Sequence, residues 1–453
     1  MLLFNKWKYV YIHIDELNRD SVVASALKQE LAERGVKLIY GNRHYSNYLI
    51  RYFAKYFDAV VFPKPHFLRY FDKNCFNETK VIMLYTENIG IIADSGVDKM
   101  TLKGALDEEF MSGDSSYVDM VDAFCFWGKL VHDTVVRHHS NLKDKCYVVG
   151  HPRHSKQTLK LKNHQVNSSK KKEIGILTRQ VFLNDYMERN QLEKLAQYLD
   201  NSSIYEYYNH KTQDFLISTR RGSSPENDAF SEAVDVKYIF LIINTALKNN
   251  HNVSIKTHPR EKAETWKVLF DKFEIKVKFV DPLTPLTHWI SDLDYLIGPP
   301  SSSFYDSMMM GVTPISIHNL DKRRKQFDLP ISEENNHLMP HVYSPKSLEE
   351  LFSFIDSNKR TEHTEEIYAV LEAEADYPFC NNSINKISNI ICDVLNNRED
   401  KRIIEQTLGI AIYNIASVIF NIIFFMRYFT SVKHSASFIV SRKVGKFINK
   451  LAS

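Results

Sequence analysis

The chain has 453 residues, 44% of them hydrophobic and 25% charged, with a net charge of +3. That length exceeds one ordinary core, and the composition is that of a folded globular protein, so two domains and a tail are expected. So mild a charge, with no aromatic-basic recognition motif, gives no argument for nucleic acid, and none is expected as a partner. The five cysteines (Cys75, Cys125, Cys146, Cys380, Cys392) are odd in number and widely spaced. They argue against a disulfide framework or thiolate metal site and for a reducing compartment. Residues 1–14 show no long apolar core and no cleavage site, so no signal peptide is expected.

In chain order, residues 8–14 predict a strand, 21–34 a helix ended by Gly35, and 36–40 the next strand. Apolar runs at 59–62, 80–84, 123–126 and 146–149 predict further strands, with helical stretches between them. Such β-α alternation implies a parallel sheet with helices on both faces. Residues 155–172 lose the apolar period and are rich in Lys, Asn and Ser, the composition of a linker. A second alternation follows: strand 173–177, helix 236–248, strands 253–256, 277–280 and 295–297, helix 304–310 and strand 314–317. The expected domains are therefore 1–155, a linker 156–172, 173–400 and a tail 401–453.

The tail is distinctive. Residues 407–426 carry no charge, a stretch long enough to span a bilayer core. Arg427, Lys433, Arg442, Lys443, Lys446 and Lys450 follow with no acid among them, and Val440, Val444, Phe447, Ile448 and Leu451 fall between them at helical spacing. A spanning segment would leave those cations outside, against the positive-inside rule. The expected arrangement is an in-plane segment against the anionic lipid of the cytoplasmic leaflet. The alternative is a C-terminal helix buried against the domains.

Two motifs carry the chemistry. Ser254-Ile255-Lys256-Thr257-His258-Pro259-Arg260-Glu261 and Leu296-Ile297-Gly298-Pro299-Pro300-Ser301-Ser302-Ser303 each open with an apolar run and break at proline. Ligands of open α/β sheets bind beyond the carboxyl ends of strands. There the His258 imidazole, the Arg260 guanidinium and the hydroxyls of Ser301, Ser302 and Ser303 suit a phosphate, with Lys256 adding positive field. Plain N-capping is the simpler role for a serine. Another His-Pro, His151-Pro152, follows the strand at 146–149. Asp292-Leu293-Asp294 looks like a metal-binding DxD, yet it precedes its strand, so no catalytic metal is expected. Glu87, directly after strand 80–84, is the expected general base, ahead of the surface cluster Asp107-Glu108-Glu109. Asn184 and Asp185, after strand 173–177, are a possible donor loop or nucleophile.

With these residues in place, the chain resembles bacterial surface carbohydrate biosynthesis proteins, which are GT-B enzymes related to Kdo transferases and bacterial sialyltransferases. The resemblance spans about residues 8–320. It rests on the segment Glu30-Leu31-Ala32-Glu33-Arg34-Gly35, the strand before Glu87, Phe124-Cys125-Phe126-Trp127-Gly128, Val149-Gly150-His151-Pro152-Arg153, the His258 motif and the serine cluster. It implies two doubly wound Rossmann-like domains facing a cleft. It also implies a CMP-activated donor whose phosphate meets His258, Ser302 and Ser303, with Glu87 as base.

The expected activity is metal-independent transfer of a Kdo- or nonulosonate-type sugar to a glycan or lipid-linked acceptor, at the cytoplasmic face of the inner membrane. The nucleotide sugar is a substrate, and no cofactor is expected. Two other readings stand beside it. One is transfer of a polyol phosphate from a CDP donor, with His151 as base. The other is a catalytically degenerate partner protein, suggested by an acidic motif that reads Thr86-Glu87-Asn88 without a second acid or a glycine.

Overall fold

The computed structural model describes residues 7–14, 17–42, 49–63, 68, 71, 73–85, 116–159, 171–180, 183–184, 225–258, 261–281, 283–321, 338–396 and 403–430. The chain divides into two compact units. One comprises Met1–Glu87, Leu106–Thr158 and Pro378–Ser453, and the other Asn88–Ala105 and Leu159–Tyr377.

The first unit is built on six parallel strands: β1 (Lys8–Ile14), β2 (Val36–Asn42), β3 (Ala59–Phe62), β4 (Lys80–Leu84), β5 (Ala123–Phe126) and β6 (Cys146–Val148), in the order β2-β1-β3-β4-β5-β6. Val10 pairs with Leu38 on one side and Ala59 on the other. Alternate residues of a strand face opposite sides, and both sides are covered, so the strands are apolar throughout. Val10, Ile12, Leu38, Val61 and Ile82 lie on one side in a single cluster. It includes Val23, Leu27 and Leu31 of helix Leu17–Ala32 and Ile384, Ile387, Ile391 and Leu395 of helix Ser383–Asn396. Sequence periodicity assigned residues 383–396 to the 173–400 segment, but their apolar stripe completes the core of the first unit. On the opposite side Tyr11 meets Phe57, at 5.4 Å between ring centroids, and Tyr413 of the C-terminal helix Ile403–Thr430, at 5.8 Å.

That helix is anchored along one face. Tyr413 sits edge-on to Phe53 and Phe57. Gln406 donates to the Asp58 carboxylate at 2.7 Å, which also receives the Tyr9 amide. Gly409 presses on Tyr56 so closely that a Cβ would stand 2.2 Å from the ring. No helix among the described residues is long and apolar enough to cross a membrane. All five cysteines are free thiols.

The second unit has five parallel strands: β7 (Glu173–Leu177), β8 (Asn252–Lys256), β9 (Lys278–Phe279), β10 (Tyr295–Gly298) and β11 (Thr313–Ser316), in the order β11-β10-β7-β8-β9. Ile239, Ile242 and Ile243 of helix Pro225–Lys248 share one core with Trp266, Phe270, Leu351 and Ile355. Trp289, Leu293, Phe304, Met308 and Leu371 form the core of the other face. The predicted strand 277–280 shortens to two residues at the sheet edge, and the other strands agree with the sequence to within a residue or two.

Candidate functional site

In an open parallel sheet the strand order reverses at one point, and the crevice beyond the carboxyl ends there receives ligands. In the second unit β7 is central. The chain runs outward through β8 and β9, then crosses to β10 and β11, so the reversal lies between β7 and β10. Gly298 ends β10 at this point. A Cβ there would stand 2.9 Å from the Leu177 Cβ and 3.0 Å from the Leu177 carbonyl oxygen, so glycine lets the two strand ends close up. Arg179, just past β7, donates to the Pro300 carbonyl at 2.9 Å and ties the two loops together.

Ser301, Ser302 and Ser303 follow. Part of their chemistry is local capping. The Ser303 amide and hydroxyl both meet the Ser301 hydroxyl at 3.2 Å. Ser302 is half-buried at the N-cap position of helix Ser303–Met309, without a side-chain capping bond. His258 lies beyond β8, on the other side of β7, and its amide donates to the Thr178 hydroxyl at 3.2 Å. The structure therefore brings His258 and the serines to the same edge of one sheet. Lys256 departs from expectation. Its ammonium donates to the Thr284 carbonyl at 2.8 Å and the Asp281 carbonyl at 3.4 Å, and burial lowers its pKa to about 8. It braces the loop after β9.

Asn184 is buried. Its side chain donates to the Lys262 carbonyl at 2.9 Å, and its amide to the Gln180 carbonyl at 2.8 Å. It stitches the loop after β7 to the loop after β8. Glu87, Asp185 and Arg260 lie outside the described residues. Asp294 stands at the amino end of β10. It accepts the Glu173 amide at 2.9 Å and the Arg360 guanidinium at 2.5 Å, a brace far along the strand from the carboxyl edge.

The first unit has its own reversal between β1 and β3. A cavity of about 20 Å³ there is lined by His13, Asp20, Phe62, Tyr85, Trp127 and Arg153, room for roughly one water-sized group. The neighbouring side chains are tightly interlocked. The Trp127 indole donates to the Tyr85 carbonyl at 2.6 Å and lies 3.8 Å from the His151 ring, which meets His154 edge-on at 4.8 Å. The Arg153 amide donates to His151 Nδ1 at 3.3 Å. Burial, then the Arg153 guanidinium, then His154 push the His151 pKa well below its ordinary value, so the imidazole is neutral. Gly150, at φ +83°, makes this turn, and a Cβ there would stand 2.8 Å from the Cys380 backbone. The sequence marks His151 only as the base of the CDP-donor alternative, and it does not single out His13. The available signal was a histidine at the carboxyl end of an apolar strand, present in both.

No protein-family model matches the chain, and no curated protein matches it. Among solved structures it is similar to the wall teichoic acid polymerase TagF, at 12% identity over 87% of this chain and 91% of that one, with a TM-score of 0.50. A substituted form of the same polymerase gives 12% identity, 86% and 90% coverage and a TM-score of 0.51. The UDP-GlcNAc 2-epimerase of Methanocaldococcus jannaschii, in complex with UDP-GlcNAc and UDP, is similar at 12% identity, 85% and 99% coverage and a TM-score of 0.45. Identity this low speaks to the fold alone: two doubly wound α/β units of the GT-B class.

Proposed function

We propose that the chain is a transferase of surface-polymer assembly that binds a cytidine-nucleotide donor at the carboxyl edge of the β7–β11 sheet. The observation that supports this most directly is the strand reversal beside β7, flanked by the Ser301–Ser303 hydroxyls after β10 and by His258 after β8. Charge develops on a departing nucleotide phosphate, and fixed donors at that place stabilise it electrostatically. The donor as a CMP-activated acidic sugar, with Glu87 as base, follows from the sequence resemblance.

Transfer of a polyol phosphate from a CDP donor is the second reading. It is favoured by the likeness to a wall teichoic acid polymerase and by the neutral His151, since a general base must be unprotonated. Titration calorimetry on the full chain with CMP, CDP and UDP tests both. A cytidine nucleotide is expected to bind, with affinity lowered about 10- to 100-fold by His258→Ala, the worth of one hydrogen bond to a charged group. Tighter CMP favours the acidic sugar and tighter CDP the polyol phosphate. Preference for UDP, or no binding, defeats the cytidine assignment.

The C-terminal segment we assign to an anionic membrane surface. The C-terminal helix buries Ile410, Tyr413 and Ala416 and leaves Leu408, Ile415 and Val418 exposed at 61%, 62% and 58%. Six cations and no acid follow at 427–453, each worth about 1 kcal/mol near anionic lipid. The protein is expected to sediment with phosphatidylglycerol vesicles and not with phosphatidylcholine ones. A joint Leu408→Ser, Ile415→Ser, Val418→Ser variant is expected to remain in the supernatant. Equal partition of the variant with the vesicles would refute the assignment.

A further inference from the structure

The second unit holds a buried carboxylate that the donor reading leaves without a task. Glu261 is the last residue of the His258 motif, and its amide returns to the His258 carbonyl at 2.9 Å. Its carboxylate ties the loop after β7 to the helix Ala263–Lys272. The Thr178 hydroxyl reaches its two oxygens at 2.9 and 2.8 Å, the Gln180 amide donates at 2.8 Å, and the Trp266 indole at 2.7 Å. An ionised carboxylate only accepts hydrogen bonds, and every one of these partners donates. Thr178 has a single hydroxyl proton. With that proton committed to Glu261, the lone pairs of the same oxygen face the His258 amide 3.2 Å away.

We infer that Glu261 is the positioning residue of the donor site: its ionised carboxylate, relayed through the Thr178 hydroxyl, holds the His258 backbone and the loop after β7 in the geometry that receives the nucleotide phosphate. The inference rests on the donor reading above and adds to it a control on affinity. A protonated Glu261 would point an O–H at one of its donors, and a tie between the loops would be lost. Burial raises the pKa of this carboxylate to about 7 against the resistance of Trp266, Thr178, Gln180 and Asn184, so both forms are populated at neutral pH.

The described groups that donate to the carboxylate, from Thr178, Gln180 and Trp266, are uncharged. Of the titratable and charged groups on the same segments, Lys256 is held by the Thr284 and Asp281 carbonyls and Arg179 by the Pro300 carbonyl. Among the described residues the others are His258 and Lys262, with Glu264, Lys267, Asp271 and Lys272 exposed on the helix that carries Trp266. Protonation of His258 would favour phosphate at low pH, and protonation of Glu261 would oppose it, so the two effects have opposite signs. Apparent affinity scales with the competent fraction. With a pKa of about 7, that fraction changes about tenfold between pH 6 and pH 8.

The test is calorimetry with CMP and CDP at pH 6, 7 and 8 on the full-length wild type and on Glu261→Gln. Comparing the two proteins in the same buffer cancels titration of His258 and of the nucleotide. The ratio of wild-type to variant affinity is expected to rise about tenfold from pH 6 to pH 8. Thr178→Val is expected to lose affinity at every pH, and Thr178→Ser to restore it, because only the serine keeps the relaying hydroxyl. The Trp266 indole proton resonance of the wild type, identified with Trp266→Phe, is expected to titrate near pH 7, a readout that stands even where Glu261→Gln fails to fold. A ratio that stays constant with pH while both proteins bind, or an indole resonance that does not move between pH 6 and 8, would overturn the positioning role alone. Absence of nucleotide binding by the wild type would overturn the donor reading, and this role with it.

Discussion

Gly298→Ala is expected to lower the melting temperature and to weaken nucleotide binding more than tenfold. The added Cβ would sit 2.9 Å from the Leu177 Cβ and 3.0 Å from its carbonyl oxygen. No rotamer relieves the second contact, because it is to backbone. The β10 end must therefore move away from β7, at the point where Ile297 pairs with Ile176 and the Ile317 amide bonds the Gly298 carbonyl at 3.0 Å. Overpacking of this kind costs about 1–3 kcal/mol, or roughly 2–4 °C per kcal/mol in a unit of this size. The loss of binding should exceed what the melting shift explains, because the moved strand carries Ser301–Ser303 with it. Calorimetry beside a thermal melt separates the two effects. A variant that melts early yet binds at wild-type affinity would show that the serines do not meet the ligand.

Tyr413→Ala is expected to cost about 3–5 kcal/mol, the usual range for truncating a buried aromatic, measured by denaturant unfolding. The ring is fully buried and edge-on to three others, those of Tyr11, Phe53 and Phe57, within 5.8 Å. It is the central anchor of the C-terminal helix, so its loss should also free that helix for protease cleavage around residues 403–419. Substitutions on the exposed face, at Leu408, Ile415 or Val418, should change stability by no more than about 0.5 kcal/mol. A small cost for Tyr413→Ala would mean that the helix is held mainly by Gln406 and Asp58.

Much of the architecture is legible in the sequence because parallel strands buried on both faces read as apolar runs. Strands β1, β3, β4, β5 and β7 take the residues expected of them, and the His258 and serine motifs fall where the strand ends place them. What could not be read depends on partners distant in sequence. Glu261 is legible as an acid after His-Pro, but its hub depends on Thr178, 83 residues earlier. The stripe Ile384, Ile387, Ile391, Leu395 announces a helix, though not which sheet it covers. Lys256 reads as a ligand cation because local sequence cannot reveal the carbonyls that capture it. His151 is legible as a candidate base after its strand, but not the buried, neutral cluster that the Trp127 indole and the Arg153 guanidinium make of it.

The assignment of residues 378–453 to the first unit bears on synthesis at the ribosome. Domains generally fold in the order in which they emerge. Here Lys8 donates to the carbonyl of Leu395, 387 residues later, and Asp58 receives Gln406 after 348. The β1–β6 sheet starts first, gains helix Leu17–Ala32 early, and waits until residues 383–430 have been translated for the helices that complete its two faces. The intervening unit, ending at Tyr377, has all its strands in hand well before that. Nascent chains arrested near residue 380 should therefore hold a folded second unit and a first sheet whose isoleucine-lined face is covered in part, by helix Leu17–Ala32, and whose tyrosine-lined face still lacks the C-terminal helix, the period of greatest demand for a chaperone.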